Sequence, residues 1–258
     1  MKSVLAIAAH PDDIEFLMAG TLMRLRDAGY TLHYLNIANG CCGSMVHDRE
    51  TISRMRRDES MQAAKTLGAV YHESMVDDLE IFYEKPLLAK VASVVRKSGA
   101  EIMLTHAPAD YMEDHMVAGR LAVTAAFVRG MPNFPVDPEQ PPLQSPMAVY
   151  HAQPYFNHDP LGRLVKPKLY VDISDLSQQK AELLSCHVTQ KEWLDQTQGL
   201  DSYLHTLNEL DEQVGKMSGF YRAAEGWRQH FPIGFGQMGV DPLGDALADY
   251  VTEKETDD

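Results

Sequence analysis

The stretch Ser3-Val4-Leu5-Ala6-Ile7-Ala8-Ala9-His10-Pro11-Asp12-Asp13-Ile14-Glu15 decides the fold. Ser3–Ala9 carries no charge and does not alternate, the pattern of a strand covered on both faces. Charge follows at once, so the segment reads as a first strand and lacks the longer apolar region of a signal peptide. Helical periodicity over Ile14–Ala28 stops at Gly29, a glycine suited to a helix end.

The alternation continues outward. Thr31–Ala38 reads as a second strand, Glu50–Leu67 as a helix stopped by Gly68, and Ala69–His72 as a short third strand. Pro86–Ser98 is helical up to Gly99, Glu101–Thr105 is a fourth strand, and Asp114–Arg129 is an Ala/Val-rich helix. Strand and helix in turn, with short connections, predict βαβ units and a parallel, Rossmann-like sheet. Gly130–Pro146 holds six prolines and reads as an ordered surface loop or lid. Met147–Ala152 and Lys168–Ile173 are two further strands. Ser174–Leu194, opened by the cap residues Ser174 and Asp175, and Ser202–Arg222 are long helical patterns. Trp193, Tyr203, Phe220, Tyr221 and Trp227 are expected there as core or oligomer contacts. The expectation is one α/β domain over 1–258, with a core at 3–192, a helical C-terminal extension at 193–250 and a frayed tail at 251–258.

Composition narrows the function. The chain has 258 residues, 23 Lys+Arg and 37 Asp+Glu, a formal charge of −14 that repels nucleic acid and anionic lipid. No apolar run approaches the ~20 residues of a membrane span. Three cysteines, Cys41, Cys42 and Cys186, make no disulfide framework and point to a reducing cytoplasm. Gly40 and Gly43 are too sparse for a dinucleotide fingerprint, and no Gly-x-Ser-x-Gly elbow is present.

Two clusters could carry chemistry. His10-Pro11-Asp12-Asp13 follows the first strand, and Asp110-Tyr111-Met112-Glu113-Asp114-His115 follows the fourth. Ligands in open α/β sheets bind outside the carboxyl ends of strands where the connections diverge. In a sheet of order 3-2-1-4 these loops face each other. His10, Asp13 and His115 could then meet at one ion, two histidines and a carboxylate being a catalytic metal set. Alternatively, Asp12 or Asp13 simply caps the following helix.

These residues resemble the LmbE-like (PIG-L) zinc-dependent N-acetylglucosamine deacetylases. Ala9–Glu15 with Gly20-Thr21-Leu22 matches the opening motif, Arg56-Arg57-Asp58-Glu59 an Arg/Glu helix, and Asp110–His115 the second metal motif. Val171-Asp172-Ile173-Ser174, Lys180 and His187-Val188-Thr189-Gln190 match a C-terminal segment. The resemblance implies His10, Asp13 and His115 as ligands of zinc, with ferrous iron also accepted by such a set. It implies Asp12 as general base, Asp114 as partner of an active-site histidine, and Arg56 and Asp78 as substrate contacts. The implied reaction removes an N-acyl group, acetyl above all, from an amino sugar or related small molecule. A homo-oligomer is expected.

One position departs from the family. Met112 stands where members carry a histidine that polarises the carbonyl or protonates the amine, and a thioether does neither. His187 and Tyr111, ahead of His106, are the expected substitutes. The rival readings are a non-catalytic metal-containing binding relative and a hydrolase of a different bond. Specificity is expected in Asn39–Ser44, Gly130–Pro146 and Gln153–Lys166.

Overall fold

A computed structural model describes residues 2–198 and 202–254. In chain order the elements are β1 (Ser3–Ala8), α1 (Asp13–Leu17), α2 (Ala19–Asp27), β2 (Thr31–Asn36), α3 (Arg49–Leu67), β3 (Ala69–His72), α4 (Lys85–Ser98), β4 (Ile102–Thr105) and α5 (Glu113–Val128). There follow β5 (Ala148–Ala152), β6 (Leu169–Asp172), α6 (Ser177–Leu184), α7 (Val188–Gln198), α8 (Ser202–Ser218), β7 (Ala224–Gln229), α9 (Pro242–Ala246) and β8 (Val251–Glu253). The described strands form one sheet of order β3-β2-β1-β4-β5-β7-β6-β8. The first five positions pair in parallel, and β7 and β8 run antiparallel to their neighbours.

β1 is buried along its whole length because helices cover both faces. Val4, Ala6 and Ala8 point to one layer with Leu22, Ala63 and Leu183, while Leu5, Ile7 and Ala9 point to the other with Val91 and Leu121. Its carboxyl end therefore delivers His10 into the gap between the β1 and β4 connections, as the strand order requires.

The helical pattern of 14–28 is broken at Met18 (φ −137°, ψ −11°), which separates α1 from α2. A carboxylate 205 residues away makes the break. Glu225 of β7 accepts from the N–H groups of Gly20 (2.8 Å) and Thr21 (2.7 Å), orphan donors at the start of α2. Gly20 lies against Ile173, where a Cβ would collide. Likewise 174–194 is two helices, because Glu59 accepts from the Thr189 N–H (2.9 Å) and hydroxyl (2.6 Å) at the start of α7. Ser174 and Asp175 are not caps. Ser174 donates to Asp172 (2.6 Å), Asp175 pairs with Arg24, and α6 begins at Ser177.

The extension is not wholly helical. β7 enters the sheet between β5 and β6, and Trp227 lies buried on it, donating from its indole to Thr21 (2.9 Å). Val251–Glu253 pairs with β6 instead of fraying, and residues 255–258 of the expected tail lie outside the described residues. Gly130–Pro146 is a loop, but Arg96 and Arg129 hold its carbonyls and Phe134, Val136 and Leu143 pack on the α4/α5 layer. It is no lid over the β1 and β4 ends.

Lys180 is fully buried, its Nζ 2.8 Å from both Asp211 of α8 and Glu225. Removing one partner of a buried ion cluster leaves charge without compensation, at about 3–5 kcal/mol. Lys180→Met is therefore expected to lower unfolding free energy by that amount in urea titrations. The double change Lys180→Met, Asp211→Leu should recover part of it.

Candidate active site

The bend after β1 is unusual. Asp12 sits at φ 107°, the left-handed region that costs a non-glycine residue free energy and persists where the surroundings hold it. The bend turns Asp13 back so that its Oδ2 accepts from the His10 N–H at 2.7 Å. Asp12 then points the other way, and its Oδ2 accepts from the Tyr203 hydroxyl of α8 at 2.6 Å.

Asp13 lies between two histidines. His10 Nδ1 is 3.5 Å from Asp13 Oδ2, and His115 Nε2 is 3.4 Å from Oδ1. The outer nitrogen of each ring meets another carboxylate: His10 Nε2 lies 2.9 Å from Asp114, and His115 Nδ1 lies 3.1 Å from Asp110. Such outer carboxylates fix ring orientation and tautomer in metal sites. One donor atom from each of His10, Asp13 and His115 lies within 4.8 Å of the others. The protonation of the cluster supports the fit. Burial opposes charge on both rings, yet Asp114 and Asp13 lift His10 to about 9, and Asp13 and Asp110 lift His115 to about 10. The three carboxylates of Asp13, Asp110 and Asp114 around the two rings are a donor environment suited to a cation.

His106 supports this group from below. Its Nε2 accepts from the Ala9 N–H (2.9 Å) and lies 3.3 Å from Asp13, and its ring stacks on His115 at 4.2 Å. Burial, with the charge of His115, pushes its pKa down and keeps it neutral. Burial and the neighbouring charge of Asp13 raise Asp12 to about 6, against Arg56, His187 and the Tyr203 hydrogen bond.

A cavity of about 630 Å³ opens over these groups. His10, Asp12, Asp13, Arg56, Tyr111 and His115 reach it. Phe16, Tyr155 and Tyr203 form an aromatic wall, with Phe16 5.2 Å and 5.9 Å from the two tyrosine rings. Tyr111 is 61% exposed and stands edge-on to His115 at 5.6 Å. The expected specificity loops 39–44 and 153–166 contribute Cys42, Gly43 and Phe156, whereas 130–146 contributes nothing. A second cavity, about 490 Å³, lies at the opposite ends of the strands around Lys2, Tyr30 and Glu101, far from this cluster.

Two expected site residues are placed differently. His187 is buried behind Asp12 and does not line the cavity. Its Nε2 is 3.2 Å from the buried Glu15, which raises its pKa against the effect of burial. Asp78 reaches the cavity wall, but its carboxylate accepts from the N–H groups of Gly40 (2.7 Å) and Cys42 (2.8 Å) and so holds the 39–44 loop. That loop covers Arg56, which is 3% exposed and whose Nε and Nη2 have no hydrogen-bond partner among the described residues. Gly40 and Gly43 are needed there, since a Cβ at either would strike the guanidinium arm. Asp110 and Tyr203 were not singled out as site residues in the sequence. The spacing of Asp110, five residues before His115, was the available signal; nothing local marks Tyr203.

Comparison with known proteins gives the family. The family model for GlcNAc-PI de-N-acetylase (PIG-L) matches residues 5–126. The diacetylchitobiose deacetylase of Thermococcus kodakarensis is 31% identical over 235 residues, 88% of this chain and 83% of that protein. The 4-oxalmesaconate hydratase of Pseudomonas putida is 26% identical over 198 residues, 74% of each chain. The solved N,N'-diacetylchitobiose deacetylase from Pyrococcus horikoshii superposes with a TM-score of 0.76 at 24% identity, covering 95% of this chain and 88% of that one.

Proposed function

Because the chain belongs to the PIG-L, or LmbE-like, family, we propose that it is a metal-dependent N-deacetylase acting on an N-acetylated amino sugar or related small molecule. The observation that carries the reading is Asp12 standing on the cavity wall beside the His10–Asp13–His115 donor set.

Those three residues would hold the ion, zinc by default and ferrous iron by the same chemistry. A divalent cation bound there acidifies water and polarises an amide carbonyl. Asp12 is the base. Tyr203 occupies its Oδ2, which leaves Oδ1 to receive the proton of the attacking water and to return it to the departing amine. Tyr111, at the cavity rim beside His115, takes the donor role that Met112 cannot fill. His187 acts from behind, as a charge near Asp12 held by Glu15. Arg56 orients the substrate.

The test is a screen of N-acetylated sugars and amines with amine release as readout, run with and without chelator. Release that chelator abolishes is the expected result; no release from any member overturns the reading. On a substrate so identified, Tyr111→Phe is expected to lower kcat about 10²-fold, the typical cost of one donor to a developing oxyanion. Met112→His in that background should restore part of it.

Met112 and the hydratase relative favour one second reading, water addition to an unsaturated carboxylate, which has no departing amine to protonate. Loss of the conjugated absorbance of such a compound, without amine release, would establish it. A metal-containing binding protein would do neither. No described helix is long and apolar enough to cross a membrane, and the three cysteines are free. We further propose a cytoplasmic, single-domain homo-oligomer; sedimentation velocity checks the assembly.

A further inference from the structure

The 39–44 loop brings together donors that the deacetylation scheme does not use. Gly40–Gly43 is a tight turn closed by the Gly43 N–H on the Gly40 carbonyl at 3.3 Å. In an extended chain consecutive side chains diverge, but here the turn puts the Cys41 and Cys42 sulfurs on one side, 3.8 Å apart. Two metal–sulfur bonds of ~2.3 Å at the tetrahedral angle span ~3.8 Å. An oxygen of Asp78 lies within 4.8 Å of both sulfurs. Each Asp78 oxygen already accepts one backbone N–H and keeps a second lone pair for a cation.

We propose that Cys41, Cys42 and Asp78 form a second cation site, thiophilic and separate from His10–Asp13–His115, for d¹⁰ ions of the zinc and cadmium class. Three features support it beyond the donor count. The sulfur spacing already matches the bound geometry. The turn is fixed by Asp78 from one side and by the Arg56 arm beneath Gly40 and Gly43 from the other, so little ordering remains for binding to demand. Access is open, because Cys42 is exposed and lines the cavity with Asp78 while Cys41 lies beneath it. Burial pushes the Cys41 thiol up to about 11, so binding there has to displace its proton. Uptake then breaks two S–H bonds, forms two metal–sulfur bonds and releases two protons to solvent, with no change of oxidation state. An ion so placed stands on the wall of the cavity that Asp12 also lines.

The probe is Cd²⁺ alone, titrated into the zinc-loaded full chain under a phosphine reductant. The readout is thiolate-to-cadmium charge-transfer absorption. The expected result is a band saturating at one added ion per chain, absent in Cys42→Ser and in Cys41→Ser, and retained in His115→Ala. Cys42 is exposed, so its serine variant leaves the core intact and decides the matter if Cys41→Ser misfolds. No band, or a band undiminished in Cys42→Ser, overturns the proposal. This readout does not depend on turnover, so failure here is distinct from failure of the deacetylase reading.

Discussion

Asp12→Asn is expected to lower kcat by about 10²–10⁴-fold, the usual contribution of a positioned general base, while the chain keeps one divalent ion. The amide is nearly isosteric and can still accept from Tyr203, so the strained bend that presents residue 12 survives. What disappears is the ability to take a proton. The Oδ2 of the native side chain is held at 2.6 Å by Tyr203, and burial with the charge of Asp13 raises its pKa to about 6. A base in that range exchanges protons with water and amine near neutrality without a large penalty either way. Metal analysis and steady-state kinetics on the same preparation check the prediction. Loss of the ion from Asp12→Asn would exchange the roles of Asp12 and Asp13.

His115→Ala is expected to abolish both the bound ion and turnover. It removes one of three donors and leaves the Asp110 carboxylate facing a void where the ring stood. Asp110→Asn is the graded counterpart. It keeps all three donors but weakens the contact that orients the His115 ring, and outer contacts of this kind are worth about 10–100-fold in metal affinity. Competition with a chromophoric chelator measures both. A His115→Ala chain that folds and keeps its ion would refute the donor set, and an Asp110→Asn chain of unchanged affinity would reduce Asp110 to a packing residue.

The parts legible in the sequence were those in which local pattern and tertiary demand agree. β1 is uncharged throughout because helices bury both its faces. Gly68 and Gly99 end α3 and α4 with φ of 80° and 61°, a conformation glycine adopts without strain. The convergence of His10, Asp13 and His115 was readable because the loops holding them follow strands that are neighbours in the sheet. The breaks at Met18 and before α7 were not readable, since the carboxylates that create them, Glu225 and Glu59, are remote in the chain. β7 was hidden for a related reason. Ala224-Glu225-Gly226-Trp227 has no alternation, because Glu225 is buried against Lys180 and Gly226 is pressed against Pro167. Asp78 shows a residue type that sequence can find and a task it cannot, because its backbone partners are visible only once the loop is folded.

The reach of Glu225 to Gly20 has a consequence on the ribosome. The two residues are 205 apart, and at 5–20 residues per second about 10–40 s separate their synthesis. Through most of that interval the growing chain holds His10, Asp12 and Asp13 but lacks both the carboxylate that starts α2 and the tyrosine that steadies Asp12. An N-terminal fragment ending after β5 would therefore carry all three donors without the frame that aims them. Nascent chains caught at that stage should take up metal loosely and turn nothing over, so that the enzyme becomes competent only as its last strands are released.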